Sequence, residues 1–217
     1  VMKDIKAVFS VLSKTVRLLL IKKELKIRKK FMERNDLRPA VFLDRDGLLI
    51  DDRGFIGDIS DVFFYDFTFE SLKKLQNHFE LFIVTNQSGI GKGVTTAEQV
   101  KTVNDYVLRV LYDYGIIIRE LFVCPHDFGE NCGCRKPSPY FAYIARDKYG
   151  IDLSESYMIG DHKSDAEFAR NFGGRGIYVL TGHGESHRDE ITEYPVKPSL
   201  KEAVELILSE IKPDRLL

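Results

Sequence analysis

The run Asp44-Arg45-Asp46-Gly47 stands directly behind the apolar stretch Ala40-Val41-Phe42-Leu43, so two carboxylates fall at the exit of what reads as a buried parallel strand. Farther along, Thr85-Asn86 follows Leu81-Phe82-Ile83-Val84, Arg135 and Lys136 form a basic pair, and Gly160-Asp161 with Asp165 follows Tyr157-Met158-Ile159. Strand ends carrying Asp44, Asp46 and Asp161 bring three acids to one edge of a sheet, where like charges are costly unless a cation joins them. Mg²⁺ suits that place, as a hard cation that takes one or two carboxylates together with phosphate oxygens. Such a site can bind a phosphoryl group and attack it with a carboxylate to give an aspartyl-phosphate. Lys136 and the Thr85 hydroxyl would then oppose charge on the equatorial oxygens. Taken singly, Asp161 or Lys136 reads as a solvated surface charge; their joint order behind strands is what points to chemistry.

Two other chemistries fail on spacing. A calcium loop of the EF-hand type opening at Asp44 needs an acid at its twelfth position, where Phe55 stands. Gly89-Ile90-Gly91-Lys92-Gly93 lacks the Ser or Thr that a nucleotide-binding phosphate loop requires after its lysine.

A second constellation is Cys124-Pro125-His126 followed by Cys132-Gly133-Cys134, which supplies three thiolates and an imidazole within a short window. That is the donor set of a closed tetrahedral Zn²⁺ site, and four protein ligands leave no open position, so the metal would be structural. The plainer alternative makes Cys124 a core residue and His126 a loop residue; Pro125 and Gly133, which suit a tight metal loop, favour the zinc reading. With all three cysteines in this window, a distributed disulfide framework is excluded. A reducing, cytoplasmic setting fits.

The elements that must position these groups alternate. Near-continuous apolar runs predict strands over 40–44, 80–85, 119–123, 156–160 and 175–180, and helical patterns fall over 68–77, 95–113, 138–149, 164–172 and 199–211. Strands of this kind belong to a doubly wound parallel sheet with helices on both faces, an α/β fold. At 217 residues and 44% hydrophobic content the chain can bury one full core with an appendage. That appendage is residues 1–38, where twelve Lys and Arg meet four acids, while 39–217 carry a net −9. Residues 3–34 contain neither Gly nor Pro and set Ile5, Val8, Phe9, Leu12, Val16, Leu19 and Leu20 at helical spacing, predicting a long amphipathic helix. Lys14 and Arg17 interrupt its best apolar run, which excludes a membrane span there, and no small-residue cleavage site marks a signal peptide.

The order Asp44-Arg45-Asp46-Gly47, Thr85, Lys136 and Gly160-Asp161 with Asp165 resembles the haloacid dehalogenase superfamily of phosphohydrolases over about residues 40–182. The resemblance implies a three-layer Rossmann-like sheet, with Asp44 as nucleophile and Asp46 as the acid that protonates the leaving alkoxide and then activates water. It further implies Mg²⁺ held by the Asp44 and Asp161 carboxylates and the Asp46 backbone carbonyl, with Asp165 orienting Lys136 or a metal-bound water. Cys124-Pro125-His126, Cys132-Gly133-Cys134-Arg135-Lys136-Pro137 and Thr85-Asn86-Gln87-Ser88-Gly89-Ile90 resemble the branch that holds the heptose-bisphosphate and histidinol phosphatases. Gln87-Ser88-Gly89-Ile90 with Lys92 is more similar to the heptose enzymes. The implied reaction is removal of the 7-phosphate from a heptose 1,7-bisphosphate, with a histidinol-phosphatase or another small phosphate-ester phosphatase as the alternative. Two positions depart from the pattern: Leu48 stands where the family usually has Thr, and His162 where the heptose branch often has Lys.

Forty residues separate Asp44 from Thr85 and fifty separate Thr85 from Lys136, too few to hold a large cap beside the sheet and helices. The zinc-pinned loop would wall the site instead and leave it open to a small soluble phosphate ester, which the resemblance makes a small phosphorylated sugar. Asn86, Gln87, Ser88, Lys92 and Arg135 are the candidate substrate rim, with Arg135 offering a bidentate fork for a second phosphate and Lys92 a point charge. Lys92 reads equally well as a solvated loop lysine. The resulting division is a basic helical extension over 1–38 and a phosphatase domain over 39–217. The extension is expected to pack on its own domain, on a second copy or on a fused or separate partner rather than on nucleic acid. A reading of another class makes the chain a noncatalytic docking module that uses this helix.

Overall fold

The computed structural model describes residues 37–211. The helix expected over 3–34 lies outside them. Within the described residues six parallel strands, β1 (Arg38–Leu43), β2 (Glu80–Asn86), β3 (Ile118–Cys124), β4 (Ile151–Gly160), β5 (Arg175–Val179) and β6 (Val196–Lys197), form a single sheet in the order β3-β2-β1-β4-β5-β6. The chain winds outward from β1 through β2 to β3, then crosses back to build β4, β5 and β6 on the other side. The carboxyl ends of β1 and β4 therefore flank the switch point, where the outgoing loops part and leave a crevice.

Among the described residues six α-helices accompany the strands: α1 (Thr68–Leu75), α2 (Ser88–Gly91), α3 (Ala97–Asp113), α4 (Tyr140–Tyr149), α5 (Lys163–Phe172) and α6 (Leu200–Glu210). Their ends carry ordinary stop and start chemistry. Thr96 and Gln99 cap the start of α3 reciprocally, and α4 and α5 end on Gly150 and Gly173 in the left-handed conformation. Alternate residues of each strand face opposite sides. Val41, Leu43, Leu81, Ile83, Tyr157 and Ile159 join one apolar cluster with residues of α1, α3 and α6. Ala40, Phe42, Phe82, Val84 and Met158 join another with α4 and α5. Burial on both faces accounts for the near-continuous apolar runs in the sequence.

Phe42 sits at the centre of the second cluster, fully buried, with its ring centroid 5.3 Å from those of Phe82 and Phe172 and 5.7 Å from that of Phe168. Phe42→Ala will destabilise the fold by about 3–5 kcal/mol, read as a lower urea midpoint, because the surrounding rings cannot collapse into the void. An unchanged midpoint would refute this packing.

Strand β4 begins five residues before the expected 156. Its pairing with β1 jumps from Pro39↔Asp152 to Val41↔Tyr157. Residues 153–156 bulge there, and the Ser156 hydroxyl accepts the Ala40 N–H at 2.9 Å, so polar residues of turn-like composition interrupt the pairing inside one continuous strand. Between β1 and α1 the chain makes a narrow neck: Asp51 N donates to Phe63 O at 2.8 Å, Tyr65 N donates to Leu49 O at 3.3 Å, and the buried Ile50 bridges Phe64. The segment beyond that neck holds one short 3₁₀ turn, Ile59–Asp61, and is the only excursion between β1 and β2 besides α1 among the described residues.

Candidate active site

The crevice at the β1/β4 switch point holds a pocket of about 270 Å³, room for a small ligand. Asp44 lies on its floor. Its backbone N–H donates to Ile159 O at 3.0 Å, which continues the β1/β4 ladder and fixes the carboxylate beside the end of β4. Lys136, on the loop after β3, donates from Nζ to Asp44 Oδ1 at 2.8 Å and to Val84 O at 2.7 Å, and stands 2.7 Å from Asp165 Oδ1. Asn86 fixes the lysine's backbone rather than its head, accepting from Lys136 N at 3.1 Å and donating to Lys136 O at 3.4 Å.

Burial disfavours the Asp44 carboxylate, Lys136 favours it, and Asp165 and Asp161 again oppose it; the balance lifts its pKa to about 6. Burial also works against the Lys136 charge, but Asp165 and Asp44 outweigh it and hold the ammonium above its ordinary range. Asp161 is fully buried. Its Oδ1 lies 2.8 Å from His162 Nδ1 and its Oδ2 accepts His183 N–H at 2.8 Å. The Asp161 bond raises the His162 imidazole to about 9, against burial. Gly47 and Gly182, both at positive φ, leave room for Asp161: a Cβ on either would come within 2.2 or 2.3 Å of Oδ2. Asp165 closes the start of α5 by accepting His162 N–H at 3.0 Å.

Donor atoms of Asp44, Asp161, His162 and Asp165 lie within 4.8 Å of one another. Three carboxylates against the Lys136 ammonium and the His162 imidazolium still leave an excess of negative charge, and hard oxygen donors at this spacing fit a divalent cation such as Mg²⁺. Asp46 lines the same pocket, and burial raises its pKa against the pull of Arg45. Thr85, itself buried, lines it too.

The sequence-derived rim divides. Asn86, Gln87, Ser88 and Arg135 line the pocket with Asp44, Asp46, Thr85, Lys136 and Asp165. Lys92 does not line it; its Nζ lies 3.6 Å from Asp127 Oδ1 and over the Phe55 ring. Gln87 spends its amide on Asp46 Oδ2 at 2.7 Å and Thr85 Oγ1 at 2.8 Å. Sequence reasoning did not find the remaining wall, which Asp52, Phe55, Ser164 and His183 supply. The glycines flanking His183 behind β5 were the one available signal of a turn at the sheet's active edge. The departures also have places: Leu48 is a fully buried core residue, and His162 lies in the pocket lining.

Next to the pocket, Cys124 Sγ lies 3.7 Å from Cys132 Sγ, 3.4 Å from Cys134 Sγ and 3.7 Å from His126 Nδ1, and Cys134 Sγ lies 3.4 Å from His126 Nδ1. Ligands at Zn–S and Zn–N lengths on a tetrahedron stand about 3.4–3.8 Å apart. These four separations match zinc ligation and all four donors lie within 4.8 Å of one another, and the loop they form touches the site, since Arg135 Nη1 donates to His126 O at 3.2 Å.

The HAD-hydrolase-like family model matches residues 133–203, the stretch that carries Lys136, Asp161 and Asp165. The D-glycero-beta-D-manno-heptose-1,7-bisphosphate 7-phosphatase of Yersinia pestis is 37% identical over 154 residues, 66% of this chain and 81% of that protein. The D-glycero-alpha-D-manno-heptose-1,7-bisphosphate 7-phosphatase of Photorhabdus laumondii is 34% identical over 168 residues, 73% of this chain and 91% of that protein. Among solved structures, the D,D-heptose 1,7-bisphosphate phosphatase of B. bronchiseptica, complexed with magnesium and phosphate, superposes with a TM-score of 0.73 at 26% identity, covering 80% of this chain and 99% of that one. With its acids and lysine gathered at one sheet edge and relatives at this identity and coverage, the chain belongs to the haloacid dehalogenase-like hydrolases, in the phosphatase family that these heptose-bisphosphate phosphatases represent.

Proposed function

We propose that this phosphatase releases the 7-phosphate of D-glycero-D-manno-heptose 1,7-bisphosphate through an aspartyl-phosphate on Asp44. The observation that carries the reading is the placing of Asp44 on the pocket floor, 2.8 Å from the Lys136 ammonium, with Asp46 in the same lining. An Asp44 carboxylate oxygen attacks phosphorus, the bond from phosphorus to the sugar oxygen breaks, and its electron pair leaves with that oxygen, which takes a proton from Asp46. Asp46 then removes a proton from water as it attacks the phosphoenzyme, freeing Asp44 and inorganic phosphate. Lys136 and the Thr85 hydroxyl oppose charge on the transferring group. Mg²⁺ held by Asp44, Asp161 and the Asp46 backbone carbonyl would supply further charge neutralisation for the phosphoryl oxygens. Asp165 holds Lys136. Zn²⁺ on Cys124, His126, Cys132 and Cys134 would be structural, keeping Arg135 at the pocket where a second substrate phosphate can meet its guanidinium.

Among the described residues no helix is long and apolar enough to cross a membrane. Cysteines that serve a metal as thiolates must stay reduced, which supports a reducing, cytoplasmic setting.

Phosphate release should be measured with Mg²⁺ on both anomers of the heptose bisphosphate, since the relatives' names divide between them, and on histidinol phosphate. We expect kcat/KM at least about tenfold higher on a bisphosphate anomer, the worth of one satisfied phosphate contact. Preference for histidinol phosphate would replace the heptose reading with the histidinol one.

A further inference from the structure

Arg45 lies between the two acids of the catalytic run, and its side chain is fully buried. A buried guanidinium needs partners for its donors. Arg45 finds them in two places. Its Nε and Nη2 donate to Asp46 Oδ1 at 3.1 and 2.9 Å, and Nη2 also reaches Asp46 Oδ2 at 2.8 Å. Its Nη1 donates to Asn104 Oδ1 at 2.5 Å, and Asn104 is itself buried in the middle of α3. Gln87 closes the arrangement from the β2 side by donating to Asp46 Oδ2.

Asp46 is thus gripped on both carboxylate oxygens by buried side chains. A bidentate fork fixes the plane of the carboxylate as well as its position. A polar Asn on the inward face of an otherwise apolar helix stripe, Val100, Val103, Val107 and Leu111, needs a reason to be there. Anchoring the fork is that reason.

We infer that Arg45, anchored by Asn104, is the positioning residue for Asp46, holding its carboxylate where both proton transfers of the reaction take place. The inference rests on the proposed phosphoenzyme mechanism, in which Asp46 serves the leaving oxygen and then the attacking water. Asp44 and Lys136 do not depend on the fork, so attack on phosphorus is spared when it is removed.

The test compares wild type with Asn104→Leu, Asn104→Asp and Arg45→Met on a series of phosphate monoesters running from 4-nitrophenyl phosphate to simple alkyl phosphates, in saturating Mg²⁺. A nitrophenolate leaves without a proton and an alkoxide does not. For Asn104→Leu and Arg45→Met, kcat/KM on alkyl esters should fall about 10²-fold, the usual weight of a general acid. On 4-nitrophenyl phosphate kcat/KM should stay within about threefold of wild type. There kcat and KM should drop together, with phosphoenzyme accumulating after acid quench, because hydrolysis of the intermediate has lost its base. Asn104→Asp, which keeps an acceptor for Nη1, should restore most of the alkyl activity.

A merely structural role would lower kcat/KM on both ester classes in parallel, without phosphoenzyme, and that result, or unchanged kinetics on all esters, overturns the inference while leaving the phosphatase reading intact. The heptose bisphosphate, whose leaving group is itself an alkoxide, is run beside the series and read as an alkyl ester; wild type inert toward all of these substrates overturns both. Circular dichroism of each variant separates misfolding from these patterns, and a misfolded Arg45→Met leaves the Asn104 pair to decide.

Discussion

Asp44→Asn will reduce phosphate release by about four orders of magnitude or more, to the level of a blank, while the thermal midpoint stays level or rises by a few degrees. The loss follows from the chemistry: an amide of the same shape offers phosphorus no nucleophile, and the remaining groups can only bind and polarise. The stability side follows from the charges. Asp44 is buried close to Asp165 and Asp161, and burial together with these like charges pushes its pKa to about 6. Neutralising it relieves that repulsion. Lys136 is not orphaned, since it keeps Asp165 at 2.7 Å and the Val84 carbonyl at 2.7 Å. Stability and turnover therefore move apart, as they do where a site is strained for function. Colorimetric phosphate release and a thermal melt on the same preparation decide the matter; residual turnover of about a tenth or more would remove Asp44 from the nucleophile's role.

Cys132→Ser will lower both zinc content and thermal stability. The protein as purified should carry about one zinc per chain, and the variant should fall to a small fraction of that, measured by atomic emission after gel filtration. Losing a structural metal here should cost on the order of 3 kcal/mol, or about 6–12 °C in Tm for a chain of this size. Turnover should suffer as well. Cys134, Arg135 and Lys136 are consecutive, and the Asn86 amide grips Lys136 on both its backbone N and O, so slack in the loop reaches the ammonium. Zinc content equal to wild type in Cys132→Ser would dismiss the site, and lost zinc with unaltered Tm would dismiss its structural role.

Much of the sheet was legible in the chain because strands buried on both faces are written as apolar runs, and the runs at 80–85 and 175–180 match β2 and β5 to within one residue at each end. The acids behind β1 and β4 were legible for the same reason: the end of a run locates the edge of the sheet. Strand β6 and helix α2 were not, because elements of two and four residues contain no period to read. The early part of β4 was hidden by a bulge whose Ser154-Glu155-Ser156 looks like a turn. The grip on Asp46 was out of reach for a different reason. Arg45 and Asn104 stand 59 positions apart, and only the packing of α3 against the sheet brings them together.

The narrow neck between β1 and α1 has a consequence for how this architecture can change over generations. Ile50 anchors the neck in the core, and the backbone bonds from Asp51 to Phe63 and from Tyr65 to Leu49 close it. The exposed positions just beyond that closure, Arg53 to Phe55, can be lengthened while Ile56 and Val62 keep the rest of the segment seated in the core, so that no strain reaches Asp44 or Asp46. Doubling a flexible loop closed at its base costs only about 0.6 kcal/mol. New substrate preferences can therefore be acquired by insertion at this single point while the reacting groups are inherited unaltered, which makes the neck a grafting port for evolution and for engineers alike.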